Sequence, residues 1–190
     1  MHSPESAGIA AAHRTALLQV AGQSIDCGLA QGAALEPAVE DYPLQLQAVR
    51  ATFVTLKAAG ALRGCIGSPN PIRPLVADVA INAHGAAFRD PRFAPLVVPE
   101  RDGLAISISV LSEREEMTFA SEEDLLRQVR PGVDGLLMEM DHNRGTLLPS
   151  VWAAVPEAAV FLRQLKRKAG VAEDFWSERL RVFRYTAESF

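Results

Sequence analysis

Cysteine is scarce and histidine is scattered in this 190-residue chain. Its two cysteines, Cys27 and Cys65, stand in unlike contexts, one in a helical pattern and one between glycines. Neither a disulfide framework nor a zinc pattern follows, and both are read as reduced thiols. The four histidines, His2, His13, His84 and His142, fall in different predicted elements. No His-x-x-x-His or Cys-x-x-Cys spacing occurs, so no metal site is expected. A glycine-rich phosphate loop is missing in its required form, and Gly64-Cys-Ile-Gly67 is too short for a dinucleotide fingerprint, so no cofactor is expected. A strong excess of charge is also absent. With 19 basic against 23 acidic side chains the net charge is -4, which argues against nucleic acid as the main partner. No apolar stretch approaches the ~20 residues of a membrane span; the longest, Leu104–Leu111 and Val133–Met140, are strand-sized. The opening Met1-His-Ser-Pro-Glu-Ser6 has no basic n-region and no apolar h-region, so no signal peptide is read there and a cytoplasmic location is expected.

What is present is ordinary globular composition, 48% hydrophobic and 22% charged, in a length that buries a sizeable core without staples. The apolar period of Leu17, Leu18, Ala21, Ile25 and Leu29 predicts a first helix over 9–29, with Gly32 as its stop. Residues 33–46, with Pro37, Pro43, Glu36, Glu40 and Asp41, read as a surface connection. Segments 48–57 and 61–66 predict a hairpin around Ala58-Ala59-Gly60. A second helix starts behind Pro74 on the stripe Leu75, Val76, Val79, Ala80, Ala83, Ala86 and Ala87. Leu104–Leu111 alternates as a half-buried strand. Ser121 with Asp124 resembles a capping box for a short helix through Val129. A hairpin of 133–140 and 146–148 turns through Asp141–Gly145, where Asn143 and Gly145 tolerate positive φ. A last helix runs from Pro156 through Lys168, using Ala159, Phe161, Leu162 and Leu165, and 179–185 closes as a strand. Hairpins with irregularly interspersed helices predict an α+β fold, mainly antiparallel sheet with flanking helices. It is read as one domain over 1–190, in a larger and a smaller lobe with a groove between them.

The segment that asks for an explanation is Leu62-Arg-Gly-Cys-Ile-Gly67, because glycine weakens a strand. In one reading Gly64 and Gly67 let a ligand or partner backbone come near, Cys65 supplies a thiol and Arg63 a cation that favours the thiolate. In the other, Cys65 is a small buried hydrophobe and the glycines mark a bulge or tight packing on a helix. Asp90-Pro-Arg-Phe93 offers an orienting carboxylate or an anion clamp, against an ordinary turn and ion pair. His84 is a candidate base for Cys65, against a packed or solvated histidine. Lys166, Arg167, Lys168, Arg179, Arg181 and Arg184 make the C-terminal quarter basic, against a solvated face.

The motif LRGCIG resembles the hallmark of the AMMECR domain family, the protein A component of the AmmeMemoRadiSam group. The resemblance extends through Phe53–Lys57 and Gly60, then Ala86-Ala-Phe-Arg-Asp-Pro-Arg-Phe93, Ile108–Ser112, Gly132–Leu137, Leu147-Leu-Pro149 and Phe183-Arg-Tyr185, in the family's order. Ser68-Pro69-Asn70 falls where the family varies, and Trp152 stands where smaller residues are common. The resemblance implies an α+β fold of two lobes, the motif near the groove, and association with Memo-like and radical SAM proteins; it implies no reaction. Three functions are therefore expected in order. The first is a binding component whose groove, lined by Arg63, Gly64, Cys65, Ile66, Gly67, Asp90, Arg92 and Phe93, docks a small anion, a peptide or a partner protein. The second is an enzyme using Cys65 as nucleophile or redox thiol, helped by Arg63 and by His84 or Asp90. The third is a nucleic-acid adaptor using the C-terminal arginines.

Overall fold

A computed structural model describes residues 8–190, and both His2 and the reading of the first six residues lie outside the described residues. The chain is α+β and divides into two compact units, one running to Leu111 and taking in Glu188–Phe190, the other Ser112–Ala187. The first contains α1 (Ala11–Gln31), α2 (Leu44–Gln47), β1 (Thr52–Ala58), β2 (Ala61–Gly67), α3 (Leu75–Phe88) and β3 (Leu104–Leu111). The second contains β4 (Glu115–Glu116), α4 (Glu122–Gln128), β5 (Gly135–Met140), β6 (Asn143–Leu147), α5 (Ala158–Ala169) and β7 (Arg181–Tyr185); β8 (Ala187–Ser189) then returns the chain to the first.

In the first unit the sheet order is β2-β1-β3-β8, with β1 antiparallel to both β2 and β3. The predicted stripe on α3 is buried throughout, from Leu75 to Ala87. Its alanines let the helix lie close between α1 and the sheet, where Leu17, Ile25, Val54, Leu56 and Ile108 are fully enclosed. Each such side chain contributes on the order of 1.5–3 kcal/mol. A buried polar cluster ties α3 to β1: Asp78 accepts from the Thr52 N–H (3.1 Å), Thr52 Oγ1 (2.7 Å), Asn82 Nδ2 (2.9 Å) and Arg73 (2.9 Å). The β1–β2 loop is two residues, Ala59 (φ 49°) and Gly60 (φ 82°), both left-handed as the strand twist requires. The 33–46 connection is more structured than expected. It holds a 3₁₀ turn over Val39–Asp41 and α2, whose Leu46 is fully buried, so this segment contributes to the core.

In the second unit the order is β4-β7-β5-β6, with α5 laid on β6 and β5 over a core of Leu125, Leu136, Met138, Phe161, Leu165 and Val182. Trp152 stacks on Phe161 at 3.8 Å and donates from Nε1 to the Asp134 carbonyl at 2.6 Å, so the large ring has a place and a partner. Ser121 caps α4 by accepting from the Asp124 N–H, while the Asp124 carboxylate accepts from the Ala120 N–H, one residue upstream of the capping-box position. The β5–β6 turn is shorter than expected: Asp141, at φ 51°, and His142 close it, and Asn143 and Gly145 belong to β6. Gly145 is glycine because a Cβ there would lie 2.5 Å from the Ala169 nitrogen at the end of α5. On α5 the expected face is shifted. Ala159 is exposed, whereas Lys166 is fully buried and donates to Glu122 (2.7 Å) and the Glu173 carbonyl (3.0 Å).

Candidate functional site

The LRGCIG segment is β2, the edge of the first sheet. Pairing runs Leu56↔Gly64 and then Lys57↔Leu62, which leaves Arg63 as the extra residue of a β-bulge. Gly64 faces α3, where a Cβ would stand 2.0 Å from the Ala86 carbonyl oxygen. Ile66 packs on the same helix at Gly85, and a Cβ on Gly67 would stand 2.3 Å from the Thr52 carbonyl oxygen. Close approach of the protein's own backbone accounts for glycine at both positions, from helix α3 at Gly64 and from strand β1 at Gly67.

Edge strands carry unpaired backbone groups that have to be satisfied or covered. Here the loop after α3 does it. The carboxylate of Asp90, itself almost fully buried, accepts from the Cys65 N–H at 2.8 Å. It also accepts from Arg92, through the backbone N–H (3.1 Å), Nε (2.9 Å) and Nη2 (2.7 Å). The Arg92 fork, aided by the Cys65 and Arg92 backbone donors, holds the Asp90 carboxyl far below the usual carboxylate range against the opposing effect of burial. Nearby, Arg63 grips Glu100 with Nε (2.7 Å) and Nη2 (3.0 Å), and Nη2 also reaches the Ala94 carbonyl (3.0 Å). The Arg63 fork lowers Glu100 to about 2. The Phe93 ring lies 5.9 Å from the Arg63 guanidinium and 5.5 Å from that of Arg92.

Cys65 is half-buried. Its Sγ accepts from Thr55 Oγ1 at 3.3 Å across the β1–β2 pair. In register beside them on the face away from α3 stand Ser107, opposite Thr55, and Ser109, opposite Phe53; Ser109 meets Ser189 of β8 at 2.9 Å. Short polar side chains thus stand next to the thiol, and Phe53 and Lys57 share that face of β1 on either side of Thr55. Arg63, Cys65, Asp90, Arg92 and Phe93 are gathered at this edge, as the sequence suggested. The proposed helper His84 is directed elsewhere: it is buried, its ring lies 4.9 Å from Phe88, and its Cδ2 is 2.9 Å from where a Gly28 Cβ would be, on α1. Burial, with Arg89 beside it, lowers the His84 pKa. Sequence reasoning missed Thr55, Ala94 and Glu100, which reach the motif from distant positions and carry no local pattern.

The basic C-terminal quarter is largely neutralised. Lys166 pairs with Glu122, Arg167 with Glu173, Arg179 with Asp141, Arg181 with Glu116 and Arg184 with Glu115. Among the described residues no helix is long and apolar enough to cross a membrane, and no group of three or more His, Cys, Asp or Glu side chains is gathered to hold a metal ion.

Comparison with known proteins gives a consistent result. The family profile for AMMECR1 matches residues 18–190. A protein of Methanothermobacter thermautotrophicus is 39% identical over 155 residues, covering 80% of this chain and 80% of that one. One of Thermococcus gammatolerans is 39% identical over 183 residues, covering 92% and 87%. The crystal structure of an uncharacterized protein from Pyrococcus horikoshii is 36% identical and superimposes with a TM-score of 0.84 over 93% of this chain and 89% of that one. Profile, relatives and fold agree, and the chain belongs to the AMMECR1 family.

Proposed function

We propose that the protein is a cytoplasmic binding component and that the sheet face around Cys65 docks a partner protein, with Arg92 and Phe93 at its rim. The observation that carries this reading is that each group able to activate Cys65 is committed to another partner. Asp90 spends its oxygens on four N–H donors and is held ionised, so it is a poor proton acceptor. Arg63 is paired with Glu100, His84 packs on Phe88, and Thr55, which does meet the thiol, donates a hydroxyl proton and supplies no base. A nucleophilic cysteine needs a base or a free cation beside it. A docking face is supported by short side chains at Thr55, Cys65 and Ser107 that let a partner approach the sheet, by Phe53 beside them, and by a rim fixed by forked ion pairs.

By the resemblance of its motifs, the partner is a Memo-like or a radical SAM protein. Calorimetric titration of this chain with the Memo-like and radical SAM proteins of the same organism tests the reading. Ser107→Arg should weaken the complex at least about tenfold with an unchanged melting temperature, and Cys65→Ser should bind like the parent. Undiminished binding by Ser107→Arg, or loss of binding with Cys65→Ser alone, overturns it.

A further inference from the structure

We propose that the second unit carries a binding site for an alkylammonium group, in a cavity between the segment that follows β4 and the segment that precedes β7. It uses none of the residues around Cys65 and does not rest on the docking role assigned to them. The cavity measures about 340 Å³ and is lined by Met117, Phe119, Trp176, Glu178, Leu180 and Arg181, with the intervening backbone.

Its origin is a divergence of two chain segments. The β4–β7 ladder pairs Glu115↔Arg184 and Glu116↔Phe183, and the Met117 N–H still reaches the Val182 carbonyl at 2.9 Å. Beyond that point the first segment is drawn toward α4, because Gln128 donates to the Thr118 carbonyl and the Ala120 N–H bonds Asp124. The second segment curls on itself through Leu180 N–H to the Ser177 carbonyl, 3.1 Å. Met117 and Leu180, both buried, close the space from inside. Phe119 and Trp176, both half-buried, meet at 5.6 Å between ring centroids with their planes tilted by 59°.

The electrostatics favour a cation. Arg181 is not free to hold an anion: its Nε and Nη2 grip Glu116 at 2.6 and 2.9 Å and its guanidinium lies 4.9 Å from the Phe183 ring centroid. Glu178 is exposed and, among the described residues, has no hydrogen bond or ion pair. Glu116 and Arg181 cancel, so Glu178 leaves the cavity with one negative charge beside two aromatic rings. An anion would meet that carboxylate and the negative ring faces. An alkylammonium places its charge against the rings and Glu178 and its methylenes against Met117 and Leu180. The volume is at the small end of the ~300–1,000 Å³ of ligand pockets, which suits a group of side-chain size and not a nucleotide. A lysyl side chain of a peptide and a free alkylamine share this chemistry.

The test is titration of the protein with n-butylammonium, N-acetyl-lysine amide, the peptide acetyl-Gly-Lys-Gly-amide and the uncharged N-acetyl-norleucine amide, followed by calorimetry and by tryptophan fluorescence. The chain has two tryptophans; Trp152 is buried against Phe161, so the emission change reads Trp176. The cationic probes should bind saturably and norleucine amide roughly fivefold more weakly. Glu178→Gln, an exposed change that leaves the fold intact, should erase that preference without altering norleucine binding. Tighter binding of the peptide than of butylammonium assigns the lysyl side chain as the occupant, and equal binding assigns the free amine. No saturable binding of any cationic probe, norleucine amide bound as tightly as lysine amide, or a preference that survives Glu178→Gln overturns the proposal.

Discussion

At the level of single residues, the edge strand shows how one carboxylate can fix a loop, a backbone and a cation together. Asp90 ties the Cys65 N–H to Arg92. Because its folded-state pKa is depressed, the stabilisation is fully present above the ordinary carboxylate pKa of about 3.9 and is lost as pH falls through the lower folded value. Acid titration of unfolding should show stability dropping below about pH 4 in the parent. In Asp90→Asn, already weaker at pH 7, that drop should be smaller; an identical acid profile for the two proteins would remove the linkage. Gly64 and Cys65, neighbours in one motif, should behave oppositely. Gly64→Ala drives a Cβ onto the Ala86 carbonyl and should cost about 3 kcal/mol in urea denaturation. Cys65→Ser, nearly isosteric and half-buried, should cost less than about 1 kcal/mol.

At the level of elements, the hairpins and helices follow local chemistry where the signal is long and depart from it where a neighbour intervenes. The α3 stripe and the alternation of β3 were legible because fourteen and eight residues carry them. β4 and β8, two and three residues long, are too short to hold a period and exist only because a paired strand receives them. Gly145 looked like a turn residue and is a strand residue, because the end of α5 lies against it. Lys166 looked like a solvated end-of-helix cation and is buried, because Glu122 of α4 and the Glu173 carbonyl receive it. The β1–β2 turn leaves room for improvement. Ala59 sits at φ 49° and is exposed, so Ala59→Asn, which makes the preferred Asn-Gly pair, should raise stability by about 0.5–1 kcal/mol in thermal or urea unfolding.

At the level of the molecule, the chain's last residues return to the first unit. Phe190 exchanges both backbone hydrogen bonds with Ile108, and Glu188 receives the Ile9 N–H and pairs with Arg14. Deleting Glu188–Phe190 should therefore expose the β3 edge and speed amide exchange at Ile108 at least about tenfold, while β5 and β7 in the second unit stay protected; unchanged exchange at Ile108 would refute this anchoring role. The sequence by itself determined the class of fold, the principal helices and hairpins, and membership of the family, because these rest on periodicity, turn chemistry and residue order along the chain. Only the tertiary structure decided what the motif's residues and their neighbours contact. It spent Arg63 on Glu100, Asp90 on Cys65 and Arg92, His84 on α1 and the glycines on α3 and β1. Those assignments join positions up to 56 residues apart, the separation of His84 from Gly28, and no local pattern encodes which distant partner a charge or a missing side chain will meet.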